Sequence, residues 1–292
     1  MKVFMLGWEF PPYISGGLGT ACYGLTKALD LMGVQITFVL PTAVQTQFAS
    51  HVKLVSPAIR AEAESQTSGR VKHLKNVRFR SINTPLQPYQ TASNYQKRIE
   101  DSLAQLCMTR SNKTSEFVGK LDYSGDMYTE VQRYAELAVR LALNEEFDVI
   151  HAHDWMTYTA GAAVARVTGK PLVIHVHSTE FDRSGEHVNQ MIYDIERMGM
   201  HVADRIIAVS YLTRSIIIGR YGISGDKVEV VYNGVERNGN NNLSVGNTTI
   251  NRDEKIVLFL GRITMQKGPD YFLRAAKKVL EKMDNVKFVM AG

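Results

Sequence analysis

Short apolar runs alternate with amphipathic stretches along most of this 292-residue chain. Residues 3–7 form an apolar run stopped by turn chemistry at Pro11-Pro12, which predicts a buried strand. Residues 18–32 carry Leu18, Cys22, Leu25 and Leu29 at helical spacing and stop at Gly33. Residues 35–40 give the next strand, halted by Pro41. Strand, glycine-rich turn, helix and strand in this order are the opening βαβ of a parallel sheet.

Residues 42–126 are less regular, with strand pieces at 52–55 and 77–82, a helix at 95–108, and polar stretches at 65–70 and 111–115. They read as an elaboration on the first domain. Regular alternation then returns. It predicts a helix over 131–143, a strand over 148–151, a loop through Asp154-Trp155 and a helix to 167. A strand at 172–176, a helix at 188–202, a strand at 205–209, a helix at 211–221 and a strand at 228–231 follow. The Asn-, Gly- and Ser-rich stretch 238–251 reads as an exposed connection. The pattern restarts with a strand at 256–260, a helix at 271–283 and a strand at 286–290. The expected organisation is an α/β domain over residues 1–237, a linker over 238–254 and the start of a second domain over 255–292. One βαβ unit cannot bury both faces of its sheet, so the second domain is expected to be only begun and the chain to be part of a longer protein.

Composition narrows the class little. Hydrophobic residues at 45% and charged residues at 22% are ordinary for a globular protein. A net charge of +5 favours anionic ligands, but Lys and Arg are scattered with no basic block, so no nucleic-acid arm is expected. Cys22 and Cys107 lie far apart and build neither a zinc knuckle nor a disulfide framework, which points to a reducing, cytoplasmic compartment. The first apolar run meets Glu9 at once and makes a poor signal-peptide core. No stretch approaches about 18 apolar residues, so no transmembrane helix is expected.

Four places could carry chemistry. Gly16-Gly17-Leu18-Gly19 sits at a strand-to-helix turn, where glycines let a backbone approach a ligand and helix N-terminal N–H groups favour phosphate. A bare tight turn is the competing reading. A dinucleotide fingerprint would need a glycine where Cys22 stands and an acidic residue after the second strand, and neither is present. His151-Ala152-His153-Asp154-Trp155 lies at the carboxyl end of a strand, the edge where parallel sheets place ligands. His175-Val176-His177 ends another strand. Two His-x-His pairs beside Asp154 also suit a metal hydrolase, with Glu180 or Asp182 as further ligands. Arg262 and Lys267, five apart on a turn into a helix, suit a diphosphate clamp, or else a solvated basic loop. Tyr232-Asn233-Gly234-Val235 reads by itself as a tight turn.

Together and in this order the motifs resemble one family. Glu9-Phe10-Pro11-Pro12 with Gly16-Gly17-Leu18, the HAHDW run at 151–155, Tyr232-Asn233-Gly234-Val235, and Gly261-Arg262 with Gln266-Lys267-Gly268 look like retaining GT-B glycosyltransferases. Within these the chain is similar to family four and the glycogen and starch synthases. The resemblance implies two Rossmann-like domains with parallel sheets and a cleft between them. It further implies that Arg262 and Lys267 bind the donor diphosphate and that Gly16 and Gly17 lie against phosphates and sugar. By the same resemblance His153 contacts the donor sugar near the reacting carbon, with Asn233 on the donor side and Glu9 and Asp154 on the acceptor side. It implies transfer of a hexose, glucose first, from an ADP- or UDP-sugar to a glycan, with no cofactor and no metal. Alternatives are a lipid or small-molecule acceptor on the same fold, or a non-catalytic glycan-binding fragment. Glycogen and starch synthases usually carry Lys where Ile14 stands, which separates the chain from the glucan synthases more than from the fold. The 292-residue chain by itself is expected to turn over little donor.

Overall fold

A computed structural model describes residues 1–10, 16–41, 75–81, 127–234 and 254–292. The elements expected at 52–55 and 95–108, the polar stretches at 65–70 and 111–115, Ile14 and the connection at 238–251 lie outside the described residues. The chain divides into two compact units, Met1–His177 with Met191–Val235, and Ser178–Gln190 with Glu236–Gly292. The sequence pattern places one division near residue 237. The structure adds two more, because Ser178–Gln190 groups with the later residues.

In chain order the elements are β1 (Lys2–Leu6), α1 (Gly17–Leu31), β2 (Gln35–Leu40), β3 (Val77–Ser81), α2 (Met127–Ala142), β4 (Val149–His153) and α3 (Trp155–Thr168). Then come β5 (Leu172–Val176), the short α4 (Glu180–Ser184), α5 (Gln190–Val202), β6 (Arg205–Ala208), α6 (Tyr211–Tyr221) and β7 (Val228–Val230). The last elements are β8 (Lys255–Leu260), α7 (Pro269–Leu280) and β9 (Val286–Ala291).

The first unit holds a seven-stranded sheet in the order β3-β2-β1-β4-β5-β6-β7, and every pairing is parallel. Parallel sheets are covered on both faces, so their strands are apolar throughout rather than alternating. Accordingly Phe4, Met5, Leu6, Phe38, Val39 and Ile150 are all fully buried. Phe4 stacks on Phe147 at 4.9 Å between ring centroids. Tyr134 of α2 donates its hydroxyl to the carbonyls of Gly7 at 3.3 Å and Val39 at 3.2 Å, so the ends of β1 and β2 have a partner inside the core. Helix contacts are equally close. Gly199 of α5 lies so near α3 that a Cβ there would stand 2.6 Å from the Tyr158 Cβ.

The sheet order reverses at β1, whose neighbours are β2 on one side and β4 on the other. Such a switch point opens a crevice at the carboxyl ends of the two strands. The opposite edge is tied by charge. Lys2 donates its backbone N–H to Asp148 at 2.7 Å, and Glu145 pairs with Arg78 at 3.2 Å and Arg80 at 2.8 Å.

In the second unit β8 and β9 pair in parallel from Lys255↔Val286 to Leu260↔Ala291. Phe272 of α7 packs between Phe259 at 5.4 Å and Phe288 at 5.6 Å. The sequence pattern does not predict α4. A reciprocal cap starts it, with Thr179 N–H on the Asp182 carboxylate at 2.7 Å and Asp182 N–H on the Thr179 hydroxyl at 3.3 Å. No helix among the described residues is long and apolar enough to cross a membrane.

Candidate active site

The strand β4 runs two residues beyond the predicted end, so His151 and His153 both belong to it. Residues two apart on a strand share a face. The parallel register sets His153 opposite His175, and His177 follows just beyond β5. Four imidazoles therefore gather at one edge. Ring centroids lie 4.3 Å apart for His151 and His153, 5.1 Å for His153 and His175, and 4.2 Å for His175 and His177. His153 Nδ1 is 3.0 Å from His177 Nε2, a hydrogen bond that fixes one proton between the two rings.

This edge is dry. His151 is 8% exposed, His175 4% and His153 0%. Burial, then the neighbouring His175 ring, lowers His151 to about 3. Burial, then His177, lowers His175 to about 2, and burial, then His151, lowers His177 to about 3. His153 is lowered for the same reasons, burial first and its three histidine neighbours after it. All four are neutral imidazoles near pH 7. The buried nitrogens His151 Nε2, His153 Nε2 and both of His175 have no hydrogen-bond partner among the described residues.

Asp154 turns the chain from β4 into α3 at φ 57°, ψ 169°, a region that is essentially glycine's and costs about 1–3 kcal/mol. Several contacts hold it there. Its N–H donates to the His175 carbonyl at 3.1 Å, its Oδ1 accepts the His177 N–H at 2.8 Å, and its carbonyl accepts the Thr157 N–H at 3.0 Å.

Glu9, just past β1, is 2% exposed and accepts the Gly19 N–H at 3.0 Å in the first turn of α1. A carboxylate there is favoured by the helix dipole. Cys22, one turn further along α1, is a buried free thiol. Its sulfur lies within 4.8 Å of ring nitrogens of His153 and His177. Burial pushes the thiol well up, and the charges of Asp154 and Glu9 push it further. Trp8 meets Trp155 edge-on at 6.3 Å.

The first unit thus brings together Glu9, His153 and Asp154. Gly16 and Gly17 begin α1, the helix that carries Cys22. Gly17 is exposed, and a Cβ placed on it would meet nothing within 4 Å among the described residues. Asn233 is exposed three residues beyond β7. Arg262 and Lys267 lie on one turn of the second unit, between β8 and α7. Arg262 is partly exposed and Lys267 exposed, and the Lys267 N–H is fixed on the Thr264 carbonyl at 3.0 Å. Gly268 closes the turn at φ 64°.

Two carboxylates considered as metal ligands are engaged elsewhere. Glu180 accepts Arg183 Nε at 3.0 Å and the Asn189 N–H at 3.1 Å, and Asp182 caps α4. The sequence reading also misses Cys22 as a neighbour of the histidines and His177 as the partner of His153. The alternating histidines of β4 and β5 carry the signal for His177, but only the sheet register aligns them.

Residues 116–238 match the family model Glycosyltransferase Family 4, and residues 242–292 match Glycosyl transferases group 1. An uncharacterized glycosyltransferase of Methanocaldococcus jannaschii is 26% identical over 306 residues, covering 100% of this chain and 63% of that protein. D-inositol 3-phosphate glycosyltransferase 1 of Catenulispora acidiphila is 32% identical over 145 residues, covering 46% of this chain and 35% of its own. The chain therefore spans less than two thirds of either relative. The catalytic domain of Starch Synthase IV from Arabidopsis thaliana, bound to ADP and acarbose, superposes with a TM-score of 0.61 at 15% identity. That match covers 100% of this chain and 68% of the plant domain. Two glycosyltransferase family models in tandem, a parallel seven-stranded sheet and a structural neighbour agree on a GT-B fold, with the family 4 model matched over residues 116–238.

Proposed function

We propose that the protein transfers a hexose, glucose first, from a nucleoside-diphosphate sugar to a glycan acceptor with retention at the anomeric carbon. The observation that carries the reading is the partnerless, fully buried His153 Nε2 at the switch-point edge of the sheet. A neutral imidazole held through its other nitrogen presents a single defined nitrogen to a sugar hydroxyl. Gly16 and Gly17 receive phosphate or sugar at the start of α1. Arg262 and Lys267 supply cations to the diphosphate, and Asn233 assists on the donor side. Glu9 and Asp154 lie on the acceptor side.

The bond from the anomeric carbon to the phosphate oxygen breaks, and that oxygen keeps the electron pair. The acceptor oxygen bonds to the same face of the carbon, and its proton passes to the departing diphosphate. Charge grows on the leaving group in the transition state, so fixed cations and backbone N–H groups lower the barrier. The transfer proceeds without a metal or other cofactor. A reducing, cytoplasmic setting suits the free thiol of Cys22.

A small-molecule acceptor is the second reading, favoured by the likeness to the D-inositol 3-phosphate enzyme. The test supplies the protein with UDP-glucose or ADP-glucose, and with a glucan primer or an inositol phosphate. Release of nucleoside diphosphate and the product anomer are followed. Primer-dependent release with an α-linked product supports the proposal, and His153→Ala should reduce it about 100-fold or more. An inverted product, or an undiminished His153→Ala enzyme, overturns it. Release only with the inositol phosphate moves the assignment to the second reading.

A further inference from the structure

We propose that His151, His153 and His175 form a binding site for one divalent transition-metal ion of the zinc, cobalt or nickel type, an ion that transfer does not require. The three residues each offer a ring nitrogen, and these nitrogens lie within 4.8 Å of one another. A tetrahedral zinc ion with Zn–N of about 2.0–2.1 Å holds its ligand atoms roughly 3.3 Å apart. Small side-chain rotations therefore close the set. Among the described residues nothing else takes these atoms, because His151 Nε2, His153 Nε2 and both nitrogens of His175 are buried without partners there.

The chemistry of the donors selects the ion. Neutral imidazole suits borderline metals and not magnesium or calcium, which prefer oxygen. Burying a dication among neutral rings alone would be costly. Here Glu9 accepts the Gly19 N–H one helical turn before Cys22, whose sulfur lies within 4.8 Å of a His153 ring nitrogen. Asp154 Oδ1 also holds the His177 backbone at 2.8 Å, so negative charge is built into the surroundings. The fourth coordination position remains for water. An ion on His153 Nε2 removes the nitrogen offered to the sugar, so a bound metal and a bound donor exclude each other.

The experiment titrates chelator-treated protein with Co²⁺ and reads its visible absorption, with Zn²⁺ added afterwards as competitor. One Co²⁺ per chain with intense bands of a low-coordinate nitrogen site is expected, displaced by Zn²⁺. His175→Gln should weaken binding at least 100-fold, whereas His187→Gln, at an exposed position that is no part of the cluster, should leave it unchanged. Imidazole ¹⁵N shifts in unaltered protein give a second readout, because the rings of His151, His153 and His175 should move together on Zn²⁺ addition. Absence of stoichiometric binding, equal binding by His175→Gln, or ring shifts confined to other histidines overturns the site.

Discussion

The carboxylate of Asp154 accepts the backbone N–H of His177 at 2.8 Å, and the ring of His177 meets His153 Nδ1 at 3.0 Å. A strained backbone position thus orients one histidine, and that histidine orients another. Asp154→Ala should lower stability by about 1–3 kcal/mol through loss of the acceptor. It should also allow His153 to sample both tautomers, visible in its ¹⁵N ring shifts. Asp154→Asn, which keeps an acceptor oxygen, should lose less on both counts. A single unchanged His153 tautomer in Asp154→Ala would show that the link carries no orientation.

His177→Ala tests the same chain from its other end. The variant should lower kcat at least 10-fold with little change in KM, because the His153 nitrogen proposed to meet the sugar hydroxyl loses its orientation while the other donor contacts stay. Equal loss in kcat and in binding would point to a collapsed edge instead.

Acid should destabilise the metal-free protein. His151, His175 and His177 are held at about 3, 2 and 3 in the folded state, while an unfolded chain protonates its imidazoles near 6.5. Below that value the unfolded state binds more protons than the folded one, so stability falls as pH falls. The decline runs from about pH 6.5 down to the folded values, and each such imidazole contributes up to about 1.4 kcal/mol per pH unit. Urea midpoints at pH 7.5 and 5.5 measure it, and equal midpoints would contradict the dry histidine edge.

Two glycines give an internal contrast. Gly199→Ala drives a methyl group to 2.6 Å from the Tyr158 Cβ, an atom tied to the backbone of α3. The helices must separate, at about 1–3 kcal/mol. Gly219 on α6 has open space where a Cβ would stand, with nothing within 4 Å. Gly219→Ala should therefore stabilise by about 0.5–1 kcal/mol through helix propensity. Thermal melts of the two variants should move in opposite directions.

Tyr221 donates its hydroxyl to the Glu196 carboxylate in the core, and its ring stacks on Tyr193 at 5.0 Å. Tyr221→Phe keeps the stack and removes the donor to a charged group. A loss of about 1.5–3 kcal/mol in urea unfolding is expected.

The elements most legible in the sequence are β2, β5 and α6, which match their predicted spans end to end. Prolines, glycines or a serine cap mark their ends, so local chemistry carries the boundary. The sequence pattern ends β4 too early, because His151 and His153 look like the close of an apolar run. They are polar side chains inside a sheet, and only burial reveals that. α4 has five residues and no apolar period, leaving the Thr179-to-Asp182 spacing as its one signal. Glu9, His153 and Asp154 are legible as motif residues. Their meeting with Cys22 and His177 is not, since it depends on the parallel register of β4 with β5 and on where α1 places Cys22. The positive φ of Asp154 has no signature in an Asp-Trp pair.

The pairing of β1 with β4 has a consequence for how the molecule assembles. Lys2 and Asp148 are bonded across 146 positions of chain, whereas β4 and β5 meet through positions as close as 150 and 172. Closing the longer loop carries the larger entropic cost, so the strands from β4 onward are favoured to gather before β1 joins them. In that order the histidine edge exists first as a wet surface. On that order β1 would bring Glu9 and α1, which carries Cys22, to histidines already gathered on β4 and β5.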